Sequence, residues 1–93
     1  MTLDQEIQRG EEARRLMAEP MLAGAFDTVE KGLIEAMRRV AMGDKDTQHE
    51  LVLSLQILHR VKGYMVEAME TGKLARIQKE TMAEKAKKLF RAA

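Results

Sequence analysis

Residues 33–61, LIEAMRRVAMGDKDTQHELVLSLQILHRV, decide the fold of this chain, because two apolar patterns of matching pitch flank the turn Gly43-Asp44-Lys45-Asp46. Both patterns repeat at intervals of three and four residues, which places each set on one side of an α-helix. The set before the turn is Leu22, Phe26, Val29, Leu33, Ala36 and Val40, and the set after it is Leu51, Leu55, Leu58, Val61, Met65 and Ala68 or Met69. The sequence therefore predicts an all-α fold built on an antiparallel helical hairpin.

The residues of the turn indicate where the two hairpin helices end and begin. Gly43 fits a helix C-cap, because glycine adopts the left-handed conformation without a Cβ clash. Asp46 or Thr47 fits the following N-cap, and Thr47 also opens a capping-box spacing. We therefore expect the hairpin helices at about 20–42 and 47–71.

A shorter helix is expected before the hairpin, over residues 3–19. Its apolar stripe is imperfect, and Gly10 in its middle costs about 1 kcal/mol relative to alanine. A residue before proline avoids the α region, so this helix should end or kink at Glu19. Proline is tolerated in the first turn of a helix, which makes Pro20 a suitable start for the next one.

A charged segment, residues 73–93, follows the hairpin and resumes a weak helical pattern. Thr71-Gly72 fits a cap, but glycine is also tolerated inside a helix, so a separate helix and a straight extension both remain open. The segment contains seven basic and two acidic residues, which gives it a charge of +5 against −4 for the rest of the chain. The sequence thus predicts one helical domain, 1–93, made of an N-terminal helix (1–19), a hairpin core (20–72) and a basic tail (73–93).

In the second hairpin helix (residues 47–71), which is the third helix of the chain, apolar residues occupy an arc of more than half of the circumference. Contact with one neighbouring helix needs only a narrow apolar strip. Leu53, Ile57, Val61, Tyr64 and Ala68 widen the arc on one side. The first helix and the tail offer little apolar cover, so we expect hairpins from several chains to complete a bundle. The side chains that we expect to carry self-association are Phe26, Val29, Leu33, Leu55, Leu58 and Met65.

A small-residue edge, formed by Ala25, Thr28, Gly32 and Ala36, runs beside the core face of the second helix. Small side chains let a neighbouring helix approach closely. We expect the tightest helix contact of the fold on this edge.

Composition argues against catalytic, metal and membrane roles. The chain has no cysteine, no apolar run near the ~20 residues of a membrane span and no apolar signal core, so a cytoplasmic location is expected. His49 and His59 lie roughly 80° apart around the predicted helix and about 15 Å along it, so they cannot share a metal. No nucleophile with a base and no glycine-rich phosphate loop is present, and we predict a non-enzyme without cofactor or metal.

The basic tail has two interpretations. A solvated C-terminal helix is favoured over a nucleic-acid contact, and a membrane-surface role is weaker than either because aromatic residues are only 3% of the chain. The residues that could contact phosphates are Lys73, Arg76, Lys79, Lys85, Lys87, Lys88 and Arg91.

A family resemblance covers roughly residues 9–80, and its most distinctive pieces are Glu19-Pro20-Met21-Leu22 and Glu70-Thr71-Gly72-Lys73-Leu74-Ala75. In these pieces the chain resembles small uncharacterised helical proteins of tailed phages and prophages, encoded near head and packaging genes. The resemblance implies a role in particle assembly or genome packaging, in the host cytoplasm or the virion, and it carries no catalytic residues.

Three functions are consistent with these features. The first is a non-enzymatic phage-type structural or assembly protein that forms a homo-oligomer and contacts other head or packaging proteins. The second is a nucleic-acid-associated packaging or regulatory factor that uses the basic tail. The third is a small helical inhibitor or adaptor of a host protein.

Overall fold

The computed structural model describes residues 1–92, and within them the chain forms three α-helices and no strand. Helix α1 spans Leu3–Ala18, α2 spans Pro20–Arg39 and α3 spans Lys45–Ala92. The predicted all-α fold is confirmed. The last residue of the predicted tail lies outside the described residues.

The first two helices begin at local capping signals. At the start of α1 the Thr2 hydroxyl accepts a hydrogen bond from the Gln5 N–H at 3.2 Å, and the Gln5 side chain accepts one from the Thr2 N–H at 2.9 Å, which is the geometry of a capping box. At the start of α2 the Glu19 carboxylate accepts from the Met21 N–H at 3.4 Å, with Pro20 in the first turn. The prediction that Pro20 starts the second helix is confirmed.

The turn of the hairpin differs from the prediction. Helix α2 ends at Arg39, and Val40 follows in extended conformation with φ −67° and ψ 139°. No glycine within residues 1–92 has a positive φ, so the expected left-handed cap at Gly43 is wrong. The Gln48 side chain instead donates to the carbonyl oxygens of Ala41 at 3.0 Å and Met42 at 3.1 Å, which satisfies exposed acceptors of the turn.

Helix α3 begins two residues earlier than expected. The Asp44 carboxylate accepts from the Thr47 N–H at 3.2 Å and acts as the N-cap, so the predicted cap at Asp46 or Thr47 is wrong. Hydrogen bonds from the side chain and the backbone of Thr47 lower the pKa of Asp44. The turn is therefore bounded by Val40 and Asp44.

Helix α3 also continues beyond the end predicted at residue 71. It runs to Ala92 as one helix of 48 residues, so the charged C-terminal segment extends α3 and is not a separate helix. Gly72 is buried, and a Cβ there would lie 2.8 Å from the Gly10 Cα. Gly72 thus allows two backbones to approach closely and does not terminate the helix.

The chain divides into two units, and α3 contributes to both. The hairpin unit is Leu16–Tyr64, which contains α2 and the first part of α3. The terminal unit combines Met1–Arg15 with the part of α3 from Met65 onward. In the hairpin unit Glu30 of α2 reaches α3, with its carboxylate 3.3 Å from His59 Nε2 and 3.7 Å from Lys62 Nζ.

Neither unit has a core of large side chains. Within residues 1–92 the buried hydrophobic residues are Ala13 and Ala75, which are 6% and 2% exposed and both belong to the terminal unit. The apolar residues between α2 and the first part of α3, which we call the hairpin seam, are only half-buried; they include Leu33, Leu55 and Leu58. In this part of the chain no helix combines the length and the apolar character needed to cross a membrane.

Candidate interaction surfaces

The first candidate surface is a line of large apolar side chains on the hairpin part of α3, which we call the α3 stripe. It consists of Leu53, Ile57, Val61 and Tyr64, with exposed fractions of 46%, 55%, 48% and 59%. Spacings of four, four and three residues put the four side chains on one face of the helix. These residues belong to the side of the apolar arc that the sequence indicated must be covered.

The predicted self-association residues occupy a different position. Phe26, Leu33, Leu55 and Leu58 are half-buried in the hairpin unit, where the seam between α2 and α3 uses them. Val29 is 50% exposed, and the half-buried Met65 belongs to the terminal unit. Their role in self-association stays a prediction, and the α3 stripe offers more apolar surface to a second molecule than the seam does.

The predicted small-residue edge of α2 makes no close contact at Gly32. A Cβ added at Gly32 would meet no atom within 4 Å, and a shallow groove beside it is lined by Ala36, Val40 and Leu51. The expectation that the tightest contact of the fold lies on this edge is wrong for the residues that the structure describes. Among the glycines, the closest approach to another backbone is the one between Gly10 and Gly72.

In the terminal unit α1 packs antiparallel to α3 across these two glycines. A Cβ on Gly10 would lie 2.8 Å from the Gly72 Cα and 2.9 Å from the Ala68 carbonyl oxygen, so only glycine fits this backbone contact. On one side Arg76 donates to Glu11 at 3.1 Å, and further along Lys79 donates to Asp4 at 2.6 Å. These ion pairs are exposed and add little stability, so the close backbone contact sets the position of α1.

The seven basic residues of the predicted phosphate-binding group therefore have different roles. Arg76 and Lys79 pair with α1, and Lys87 lies 3.9 Å from Glu84 on its own helix. Among residues 1–92 the other four basic side chains are exposed and form no ion pair; they are Lys73, Lys85, Lys88 and Arg91. Whether any of the seven contacts nucleic acid stays a prediction.

The second candidate surface is the last part of α3, residues 80–92, which we call the end segment. Every residue of this segment is exposed, including Met82 at 56%, Leu89 at 73% and Phe90 at 87%. At 100° per residue these side chains and Ala86 share one side of the helix, Lys85 flanks that side about 40° from Leu89, and Lys88 and Arg91 occupy the opposite side. The end segment is thus an amphipathic helix whose apolar side is exposed to solvent.

The polar clusters of the described chain show internal pairing. The cleft beside the glycine contact contains Glu11, which accepts from Arg14 at 3.1 Å and from Arg76 at 3.1 Å. His59 lies against Glu30, and no group of three potential ligands within residues 1–92 could hold a metal ion. The residues brought together by the fold are therefore suited to packing and ion pairing.

Comparison of the chain with models of known protein families, with curated proteins and with solved structures finds no match. The resemblance to phage and prophage proteins stays a prediction. The function is accordingly argued from the two exposed surfaces.

Proposed function

We propose that this chain is a non-enzymatic structural or assembly protein that acts by helix–helix association between copies of itself. The observation that supports the proposal most directly is the α3 stripe, whose large apolar side chains are about half exposed. Large contiguous apolar patches on the surface of a monomer commonly mark sites of interaction.

The scarcity of buried side chains supports the same proposal. A chain of 93 residues has a high ratio of surface to volume, and here the buried hydrophobic residues of the described part are two alanines. Small domains of this kind commonly gain stability from disulfides, from metals or from oligomerisation. The sequence contains no cysteine, so association with further copies is the most direct way to cover the apolar arc.

The resemblance of residues 9–80 to tailed-phage and prophage proteins supports a role in particle assembly. Other head or packaging proteins are then the expected additional partners, and the host cytoplasm or the virion is the expected location. This part of the proposal rests on the resemblance, whereas self-association rests on the exposed stripe.

Sedimentation equilibrium at micromolar concentration tests self-association. The wild-type chain should give a multiple of its 10.6 kDa mass. Ile57→Asp, which puts a charge on the stripe, should lower the mass while helicity is retained, because Ile57 is 55% exposed. The matched control is Gln56→Asp, the same added charge on an adjacent exposed residue, which should leave the mass unchanged. A wild-type mass of one chain would refute the proposal.

A nucleic-acid-associated packaging or regulatory role is the second candidate function. The observation that favours it is the row Lys85, Lys88 and Arg91, which is exposed and free of ion pairs among residues 1–92. Binding to phosphates would weaken steeply with added salt, because it releases counterions. A gel shift with duplex DNA at low salt tests this candidate: replacement of all three residues by alanine should abolish a shift, and no shift with the wild type would exclude it.

A further inference from the structure

Two exposed apolar surfaces of this chain complement each other, and the proposed self-association supplies the context in which they can meet. The α3 stripe has spacings of four, four and three residues, and the apolar side of the end segment has Met82, Ala86 and Leu89 at spacings of four and three. Both are therefore helical faces of the same pitch and similar width. Each surface lacks the cover that the other would provide.

The charges around the two surfaces are of opposite sign. Within the hairpin unit, the face of α3 that carries the stripe also carries Asp46 and Glu50, and one base, Arg60, lies at its edge. The end segment contains four basic and two acidic residues. Opposite charges beside matching apolar faces favour this pairing over contact between two stripes or between two end segments, where charges of the same sign would meet.

Every copy of the chain carries both surfaces, the stripe in the hairpin unit and the end segment in the terminal unit. A second copy therefore offers each surface of the first copy a complementary surface.

We propose that the end segment of one copy docks, with its apolar side, on the α3 stripe of a second copy. The contact is heterologous, because two different surfaces of the chain meet. Met82, Leu89 and Phe90 of one copy cover Leu53, Ile57 and Val61 of the other, and the basic residues of the end segment lie near the acidic residues beside the stripe. This inference rests on the proposed self-association and names the surfaces that perform it.

A complementation experiment tests the pairing with two variants of the full chain. Ile57→Asp disables the stripe and leaves the end segment intact, whereas Leu89→Asp disables the end segment and leaves the stripe intact. Both side chains are more than half exposed, so circular dichroism should show unchanged helicity. Each variant alone should self-associate at least about tenfold more weakly than the wild type, as expected for loss of a central apolar contact. An equimolar mixture should recover a complex, because the end segment of the first variant can dock on the stripe of the second.

Matched controls carry the same charge change away from the two surfaces. Gln56→Asp lies beside the stripe, and Thr81→Asp lies outside the apolar side of the end segment, about 80° around the helix from Leu89. Neither control should lose the tenfold that the two test variants lose, because a charge at the solvated edge of a contact changes its affinity much less than a charge in the apolar centre. Sedimentation of the mixture at low and at high salt should show a weaker complex at high salt, because opposite charges border the contact.

The alternatives predict different patterns. If Leu89→Asp associates like the wild type while Ile57→Asp does not, the stripe pairs with itself, and the inference is overturned although self-association holds. If neither variant changes the mass and Leu89→Asp lowers only the affinity for duplex DNA, the end segment serves nucleic acid and the inference fails. A monomeric wild type would overturn self-association itself, so the two failures are distinguishable.

Discussion

The contact between Gly10 and Gly72 gives the most quantitative prediction, because the chain contains a matched control in the same helix. A Cβ on Gly72 would lie 2.8 Å from the Gly10 Cα and 3.1 Å from the Glu6 carbonyl oxygen. Real Cβ atoms essentially never come within 3.0 Å of a backbone atom, so Gly72→Ala must push α1 away from α3 in the terminal unit. Gly63 is also inside α3, but a Cβ there would meet nothing within 4 Å.

The two substitutions share one energy term and differ in the other. Replacing a helical glycine by alanine stabilises a helix by about 1 kcal/mol, and this gain applies to both positions. Overpacking a close contact costs about 1–3 kcal/mol, and this cost applies only to Gly72. Gly63→Ala should therefore raise the free energy of unfolding, and Gly72→Ala should fall below Gly63→Ala by about 1–3 kcal/mol.

Urea unfolding followed by circular dichroism at a fixed protein concentration measures this difference, since the helix-propensity gain cancels between the variants. Amide hydrogen exchange gives an independent readout, because α1 should exchange faster in Gly72→Ala than in Gly63→Ala. Gly10→Ala should behave like Gly72→Ala, and the double variant should lose less than the sum, because both replacements open one contact. If Gly72→Ala and Gly63→Ala stabilise the chain equally, the close approach of the α1 backbone does not depend on glycine at position 72, and the reasoning is refuted.

Two further predictions concern the hairpin unit. Leu58→Asp should lower both the helicity and the sedimentation mass, because Leu58 is half-buried between α2 and α3 and an unpaired charge is costly there. The exposed Ile57→Asp should lower the mass alone. Unchanged helicity in Leu58→Asp would contradict the packing of Leu58 between the two helices. Asp44→Asn should lose less helicity in acid than the wild type does. Circular dichroism of both proteins from roughly pH 5 down to pH 2 measures this difference. The pKa of Asp44 is lowered by hydrogen bonds from Thr47, so its contribution is complete above its ordinary value of 3.8 and is lost as the pH falls through the lower value of the folded chain. Identical acid curves for the two proteins would remove Asp44 from the role of pH-sensitive N-cap.

The sequence predicted the helices well and their ends poorly, for reasons that are local. The apolar ladders repeat over several turns, so the position of the hairpin was clear. The predicted caps were Asp46 and Thr47, whereas the residue that caps the helix is Asp44, and the side chains of all three favour an N-cap. The Gln48 side chain also donates to the carbonyl oxygens of Ala41 and Met42, and capping preferences read from the sequence do not predict these hydrogen bonds.

The two glycines of the terminal unit show a different kind of limit. Glycine in a sequence marks either the end of a helix or a place where another backbone comes close. Which meaning applies to Gly72 depends on Gly10, and that partner lies far away in sequence. The same limit applies to the choice of residues for self-association, which stays a prediction: a helical wheel shows how wide an apolar arc is but not which side of it α2 occupies.

The distribution of small and large side chains along α3 is the strongest physical reason to expect a second molecule at the stripe. In the terminal unit the buried positions of α3 are Gly72 and Ala75, and these small residues let α1 come close with little apolar area to hide. In the hairpin unit the stripe instead carries leucine, isoleucine and valine at positions that are about half exposed. An isolated hairpin gains nothing from bulky apolar residues there, since polar ones would serve a solvated face equally well. A further helix packed on these side chains would remove their apolar surface from water, and we propose the exposed end segment of a second copy as that helix.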